Sequence, residues 1–331
     1  MKLGKSVKMK KIISKISLFT QKGGQLTGVL LAFVFMFIAS SLISPYFLTG
    51  YNLTIMSREL AFVGIVAIAQ GLLLLMGYID ISIGSIAGLS GVLTAKALSE
   101  YGLNPLVAVL IGLTAGAICG VVNGFLITTF NLNPLVLTIG TSTVFVGINL
   151  LITKGRTITG LPEITTLIGG GSVFSIPIPN FFMIGVFLIA LFLTTRTVFG
   201  RNVYAIGDSI EAAKLVGIKI NKIIIITYAS SSVFASLAGI LMVFRLISAQ
   251  TTVGQTWLLP SIAAPVIGGI ATTGGVGSIA GALVGAAILV LIGNIVILGG
   301  VNVYWQQIIN GAVIISAIIM DALIRKYSKS I

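Results

Sequence analysis

Histidine is absent from the sequence, cysteine occurs once, at Cys119, and only seven residues carry a carboxylate side chain. The lack of histidine excludes a Ser-His-Asp triad and a histidine-based zinc site. A single cysteine excludes a disulfide framework within the chain. Catalysis by this chain would have to use a pair of carboxylates or a lysine, so its residue types favour few enzyme mechanisms.

Charge of either sign is also scarce. Charged residues make up 8% of the 331 residues, against about 25% in soluble domains, and the mean hydropathy is +1.14. Such a chain cannot cover a water-facing surface, which excludes a soluble enzyme. The net charge of +13 comes from basic residues that interrupt apolar segments. This placement indicates membrane topology and no nucleic-acid partner.

Long apolar segments are what the sequence has instead. A helix needs about 20 apolar residues to cross a bilayer. Ten segments approach or reach that length, at 26–43, 60–77, 84–98, 106–128, 134–152, 182–195, 223–243, 258–271, 278–298 and 303–323. The weakest are 84–98, which contains Lys96, and 258–271, which contains two prolines. The pattern predicts an all-α fold, a polytopic membrane bundle of about ten transmembrane helices.

The basic residues predict how the bundle is oriented. Cytoplasmic segments of membrane proteins retain Lys and Arg. With ten crossings and the N-terminus inside, fifteen of the twenty basic residues fall in residues 1–22, in 196–222 or after 323. We therefore expect both termini to be cytoplasmic. The basic leader 1–22 has apolar residues near helical spacing, so an interfacial helix and a disordered tail both fit it.

Residues 23–331 are expected to form one transmembrane domain with two longer polar segments. The outer loop 154–181 is rich in glycine and proline and predicts irregular structure with room for a small docking element. The inner segment 196–222 contains a short predicted helix from Ser209 to Leu215, with Asp208 or Ser209 as its N-cap. A capped, charged helix on the inner face is typical of a contact for a partner protein.

Glycines recur at four-residue spacing in two predicted spans. Residues 112, 116, 120 and 124 are glycines in one span, and residues 277, 281 and 285 are glycines at the start of another. Such faces allow the backbones of two membrane helices to approach closely. We therefore expect both faces to be helix-packing surfaces.

The sequence offers no obvious source of energy within the chain. Gly4-Lys5-Ser6 lacks the upstream glycine of a phosphate-binding loop, and the Gly275-x-Gly277 segment follows no strand. Of the acids, Asp80 and Asp321 are expected near inner helix ends and the others in loops or at span ends, with no carboxylate buried in mid-membrane. This pattern favours a passive path driven by another protein; an ion-coupled secondary transporter of a small polar solute remains the alternative.

Several stretches of the sequence resemble those of a known family of membrane proteins. The run from Gly77 to Ser85, Gly-Tyr-Ile-Asp-Ile-Ser-Ile-Gly-Ser, is similar to the glycine-isoleucine-aspartate-leucine-serine-valine-glycine-serine signature of ribose-type ABC transporter permeases. Similar stretches follow in order, at 120–124, 133–140, 200–218, 262–278 and 305–308. Tyr78 departs from the family, which usually has glycine there.

The resemblance implies a membrane subunit of a bacterial sugar importer, located in the inner membrane and not itself an enzyme. Its implied partners are a cytoplasmic ATPase that binds the ATP and Mg, a second permease subunit that is the same or a homologous chain, an extracytoplasmic sugar-binding protein and membrane lipid. The chain itself would bind no cofactor and no metal. The implied cargo is a small sugar: a pentose, a deoxyhexose or a furanose like autoinducer-2.

Three groups of residues are candidates for function. The resemblance places ATPase coupling on Gly207, Asp208, Glu211, Ala212, Ala213, Lys214 and Gly217. The polar candidates for the translocation pathway are Asn123, Thr138, Asn149 and Asn310. Asp80, Ser82, Gly84 and Ser85 are expected to be a structural motif that organises the entry of a helix near the inner face.

Overall fold

The computed structural model describes residues 25–302 and scattered positions from 305 to 319. The predicted leader 1–22 and most of the predicted span 303–323, including Asn310, lie outside the described residues. The regular secondary structure of the described part is helical, apart from one two-stranded hairpin and an isolated β-bridge between Ile158 and Ala249. Its elements in chain order are α1 (Gln25–Ile43), α2 (Gly50–Leu74), α3 (Ile83–Ser99), α4 (Pro105–Phe130), α5 (Pro134–Thr153), α6 (Glu163–Gly170), β1 (Ser172–Val173), β2 (Ile176–Pro177), α7 (Ile178–Arg196), α8 (Val198–Asp208), α9 (Ile210–Leu215), α10 (Ile220–Leu246), α11 (Leu258–Ile267) and α12 (Ile279–Leu298).

Seven of the described helices are long and apolar enough to cross a membrane, namely α1, α2, α4, α5, α7, α10 and α12. This agrees with a polytopic all-α bundle. The two weakest predicted spans are also the two short apolar helices, α3 with 17 residues and α11 with 10 residues. Pro265 lies inside α11 and Gly268 follows its end, so the expected span to residue 271 is too long.

Local sequence signals explain where two long helices begin and end. Asn104 and Asn133 are N-caps whose side chains accept hydrogen bonds from backbone N–H groups, and a proline follows each of them at the first helical position. Asn131 ends α4 in the left-handed conformation, in which asparagine is tolerated. These caps fix α4 and α5 close to their predicted bounds.

The beginning of α2 differs from the prediction by ten residues. Thr49 caps the helix, its hydroxyl accepting from the N–H of Asn52, so Arg58 and Glu59 lie inside a helix that was expected to start after them. Tertiary contacts compensate both charges. Arg58 donates to the carbonyl of Gly170 at 3.1 Å, and Arg245 lies 3.4 Å from the Glu59 carboxylate.

The helices α2, α3 and α10 form the centre of the bundle, whereas α1 and α5 expose most of their apolar surface. The glycine face of α4 packs on α10, as expected. A methyl group at Gly116 or Gly120 would collide with Ser236 or Ser232. The second glycine face packs on α11, where Gly281 and Gly285 lie against the backbone of Gly268 and Ala264.

The expected irregular loop 154–181 contains regular structure. Helix α6 is followed by the β1–β2 hairpin, whose tip is formed by Phe174 and Ser175, both at positive φ. Segment 196–222, at the opposite end of α7, contains α8 as well as the expected α9. We call that end of the bundle the basic end. The sequence signal for α8 is Thr197, whose hydroxyl accepts from the N–H of Gly200.

Candidate functional site

A buried polar loop connects α2 to α3. Residues 75–82, which we call the Asp80 loop, bring a carboxylate into the protein interior, and the side chains of Asp80 and Ser82 are both fully buried. Oδ1 of Asp80 accepts from the Ser82 N–H at 2.7 Å and from the Ser82 hydroxyl at 2.5 Å. The Ser85 hydroxyl donates to the carbonyl of Ser82 at 2.8 Å. The loop therefore organises the first turn of α3 itself.

Side chains from four helices bind further polar groups of the loop. The Gln70 amide of α2, turned so that both its polar atoms are satisfied, pairs with the backbone N–H and carbonyl of Asp80 at 3.1 and 3.2 Å. Asn123 of α4 donates to the Ser82 hydroxyl at 2.8 Å. Thr138 of α5 accepts from the N–H of Ile81 at 3.1 Å, and Tyr228 of α10 donates to the carbonyl of Ile79 at 3.3 Å.

These contacts relate the expected pathway residues to the expected structural motif. Asn123 and Thr138, two of the pathway candidates, are fully buried and bind the Asp80 loop directly. Asn149 is also buried but lies eleven positions further along α5, about 16 Å away, beside Gly88 of α3. Only part of the proposed pathway set is thus brought together.

Asp80 was expected near an inner helix end, with no carboxylate buried in mid-membrane. It lies between the end of α2 and the start of α3, and its side chain is completely buried, which the sequence did not predict. Burial of a polar loop is possible here because its backbone groups find partners on α2, α5 and α10. Gln70 and Tyr228, which sequence reasoning missed, provide two of these contacts; a lone Gln in an apolar run was the available signal.

Gly84 of the motif marks a close contact between two backbones. A methyl group at Gly84 would overlap the carbonyl of Gly254, and one at Gly254 would overlap the carbonyl of Gly84. Gly254 has φ +85°, immediately before the short turn Gln255–Trp257 that leads into α11. The start of α3 and the approach to α11 therefore touch without intervening side chains.

The basic-end helix α8 contacts the Asp80 loop directly. A methyl group at Gly207 would overlap the carbonyl of Leu75 and the N–H of Gly275, and those two groups are hydrogen-bonded to each other at 2.9 Å. Tyr204 donates from its hydroxyl to the carbonyl of Gly277 at 2.9 Å. Burial raises the pKa of Tyr204, which keeps the hydroxyl a neutral donor.

The residues of the expected coupling set differ in their exposure to solvent. Ala213 is buried, and Gly217 turns the chain at φ +80°. Asp208, Ala212 and Lys214 are exposed.

The cap of α9 is Ser209. Its hydroxyl accepts from the N–H of Ala212 at 3.2 Å and also lies 3.3 Å from the exposed Glu211 carboxylate. Sequence reasoning missed Leu215 and Val216, which are 90% and 75% exposed at the end of α9.

A cavity of about 570 Å³ opens at the basic end between α9 and the ends of α4, α5 and α10. Its lining includes Gly207, Asp208, Glu211 and Lys214 of the expected coupling set, together with Tyr78 of the Asp80 loop. Tyr78 packs edge-on against Tyr228, with ring centroids 6.3 Å apart. Coupling residues and the Asp80 loop therefore share one polar recess.

Among the described residues, no group of three or more His, Cys, Asp or Glu side chains is placed to hold a metal ion. The ion pairs found among the described residues, Lys96–Glu100 and Arg245–Glu59, lie outside the Asp80 loop. What the site provides is hydrogen bonding and close backbone contact.

A family model and several known proteins match most of this chain. Residues 52–318 match the family model described as the permease component of the branched-chain amino acid transport system. The ribose import permease of Bacillus subtilis (strain 168) is 36% identical over 299 residues, covering 90% of this chain and 92% of the relative.

Other relatives match over similar lengths. The ribose import permease of Escherichia coli (strain K12) is 36% identical, covering 96% of this chain and 98% of the relative. The D-allose transport system permease of the same organism is 35% identical, covering 87% and 89%. No solved structure matches significantly.

Proposed function

The chain belongs to the family of ribose-type sugar permeases of ABC importers, and we propose that it forms the membrane path through which an ATP-driven importer brings a small sugar into the cell. Members of this family are transport subunits and not enzymes by themselves. The chain is accordingly a multi-pass protein of the bacterial inner membrane.

The basic end is the cytoplasmic side in this proposal. Five basic residues lie in 196–222, the segment that contains α8 and α9. Cytoplasmic segments retain such residues, whereas the opposite end carries the hairpin β1–β2 with few charges. Both termini lie on the cytoplasmic side as well, with the single transmembrane domain beginning near residue 23.

The ATPase docks on α9. Leu215 and Val216 are apolar side chains left almost fully exposed next to charged Glu211 and Lys214. An apolar centre with a polar rim is the usual composition of a protein interface. Asp208 and Ala212 complete the exposed face. Ala213 is buried behind it, Gly207 contacts the Asp80 loop, and Gly217 turns the chain after α9. ATP and Mg bind to the partner chain.

One observation carries the proposal furthest: the tight contact of Gly207 with Leu75 and Gly275. Without side chains between them, α8 and the Asp80 loop cannot move past each other freely. A shift of α9 driven by the ATPase is thus passed through α8 to the loop and to the approach to α12. The bundle then changes between outward-open and inward-open states.

The hairpin β1–β2 is the contact for the extracytoplasmic sugar-binding protein. Phe174 at its tip is 95% exposed, and Ile176 beside it is also exposed. An aromatic side chain held by a rigid turn is a suitable anchor for a partner surface.

The cargo is a small neutral sugar, and the candidates are a pentose, a deoxyhexose and an autoinducer-2-like furanose. The relatives are named for the import of ribose and of D-allose. The path is lined by amide and hydroxyl groups such as Asn123, Thr138 and Asn149, with Asn310 as a further candidate, and two permease subunits enclose it. The hydrogen bonds of such groups suit sugar hydroxyls.

The deciding experiment is transport in vesicles with and without the ATPase. The chain is reconstituted alone and with its ATPase and binding protein, and uptake of labelled ribose and related sugars is measured. We expect uptake to need ATP and to survive collapse of the ion gradients. Gradient-driven uptake by this chain alone would instead identify an ion-coupled secondary transporter.

A further inference from the structure

The Asp80 carboxyl group is buried, and no described basic residue forms an ion pair with it. Its side chain is fully inaccessible, and neither of the ion pairs formed by described residues involves it. Among the described residues, the titratable groups near it are Cys119 from α4 and Tyr228 from α10, and Tyr78 of its own loop packs against Tyr228. All three are uncharged when protonated, so no described residue places an opposite charge beside a negative charge on Asp80. Such a buried charge is strongly disfavoured.

The two oxygens of this carboxyl group have different surroundings. Oδ1 accepts two hydrogen bonds from Ser82, whereas Oδ2 is buried and has no partner among the described residues. The amide oxygen of Asn123 is also buried, and no described residue donates to it. Asn123 donates to the same Ser82 hydroxyl that binds Asp80. This small cluster therefore contains two acceptors without a donor, Oδ2 of Asp80 and the amide oxygen of Asn123. Neither a carboxylate oxygen nor an amide oxygen can donate a hydrogen bond to the other.

We propose that Asp80 is protonated on Oδ2 and that this O–H donates a hydrogen bond to the amide oxygen of Asn123. A single proton removes the buried charge and gives both orphan acceptors a partner, while Oδ1 keeps its two bonds from Ser82. A hard cation such as Ca²⁺ or Mg²⁺ needs about six oxygen ligands, and two orphan oxygens do not provide them. A bridging water would satisfy both oxygens but would leave the charge in place.

The position of Asp80 before α3 favours the alternative state, an ionised Asp80 carboxylate. The N-terminus of a helix stabilises a negative charge, and Asp80 lies three residues before Ile83, where α3 begins. The Ser82 N–H and hydroxyl already bond to Oδ1, however, and a protonated acid still accepts those bonds through its carbonyl oxygen, although more weakly than a carboxylate does. Oδ2 favours the protonated state, because it has no donor among the described residues.

Infrared spectroscopy of the full chain in lipid nanodiscs tests the proposal directly. At pH 5.5 we expect a carbonyl-stretch band of a protonated carboxylic acid, since most exposed carboxylates are ionised at that pH. Asp80→Asn should abolish the band, and the matched control Asp208→Asn should keep it. If Asp80→Asn does not fold, Asn123→Ala should shift the band by removing its acceptor. Absence of the band in the wild type, or a band that survives Asp80→Asn, would overturn the proposal.

The pH dependence of stability gives a second test with a defined sign. The folded chain keeps the proton to a higher pH than the unfolded chain, which loses it above its ordinary pKa of about 3.9. Raising the pH from 5 to 8 should therefore destabilise the wild type relative to Asp80→Asn. We expect the difference in unfolding temperature to change by at least about 2 °C. A constant difference, or one that changes in favour of the wild type, would show a stabilised carboxylate and refute the proposal.

Discussion

The side-chain amides of Asn52 and Asn294 form a reciprocal pair between α2 and α12. Nδ2 of Asn52 donates to Oδ1 of Asn294 at 3.1 Å, and Nδ2 of Asn294 donates to Oδ1 of Asn52 at 2.7 Å. Both side chains are buried, and Asn52 also donates to the carbonyl of Phe47 at 2.8 Å. The pair joins the start of one helix to the end of another far along the chain.

Breaking this pair should lower stability non-additively. Asn52→Ala and Asn294→Ala each leave a buried amide without its partner. In a double-mutant cycle we expect a coupling free energy of about 0.6–1.7 kcal/mol, measured by unfolding in detergent. Thr54→Ala, on the same helix, serves as the control and should couple to neither. Additive effects of the two asparagine substitutions would contradict a direct interaction.

The glycine face of α4 predicts a sharp contrast between two alanine substitutions. Gly120→Ala places a methyl group against the Tyr228 carbonyl and Ser232, and we expect a loss of about 1–3 kcal/mol from overpacking. Gly147→Ala on α5 meets no atom within 4 Å. It should be neutral or stabilise the helix by up to about 1 kcal/mol. Thermal unfolding in detergent measures both, and equal destabilisation would refute the packing assignment.

Docking of the ATPase on α9 is tested by Leu215→Glu. A charge on the exposed apolar end of α9 should weaken co-purification with the ATPase by at least about tenfold, because the interface loses an apolar anchor. Leu167→Glu changes another exposed leucine, 60% exposed, on α6 at the opposite end of the bundle. This control should leave the complex intact. Unchanged co-purification of Leu215→Glu would rule out α9 as the principal contact.

The proposed transmission of motion from α9 through Gly207 can be tested separately from docking of the ATPase. Gly207→Ala forces α8 away from Leu75 and Gly275, so we expect ATPase binding to persist while sugar uptake falls at least about tenfold. Tyr204→Phe removes only the hydrogen bond to Gly277 and should cause a smaller loss. Uptake and co-purification are measured on the same preparations. Loss of binding together with uptake would instead make Gly207 part of the docking surface.

The outer hairpin allows a test that preserves its backbone. Phe174 and Ser175 lie at φ 49° and 65°, a conformation that asparagine tolerates. Phe174→Asn should therefore keep the turn but remove the aromatic tip, lowering the affinity for the sugar-binding protein at least about tenfold. Ser175→Asn, at the neighbouring position, should bind normally. Normal affinity of Phe174→Asn would place the contact elsewhere.

Sequence patterns predicted most of the described helices because apolar length and caps are local properties. Asn104, Asn133 and their following prolines define helix starts without any knowledge of the fold. Glu59 shows the limit of this reasoning. A charge in an apolar segment looks like a span end until a partner such as Arg245, far along the chain, compensates it.

The candidate site was predictable only in part for a related reason. The motif around Asp80 and the short helix after Ser209 were visible in the sequence, and Asn123 and Thr138 were selected for their polarity. That the last two bind the Asp80 loop depends on the packing of α4 and α5 against α3. The contact of Gly207 with the loop depends on three distant segments, which no local pattern encodes.

The hydrogen bond from Tyr228 to Ile79 has a consequence for biogenesis. Helices of a polytopic protein enter the membrane roughly in chain order, and α10 is made long after α2 and α3. Until α10 arrives, the carbonyl of Ile79 has no Tyr228 to bind, and the loop must be sheltered by water or by the insertion machinery. A nascent chain stopped before residue 220 is therefore expected to expose a polar loop within lipid and to be a preferred target for membrane quality-control proteases.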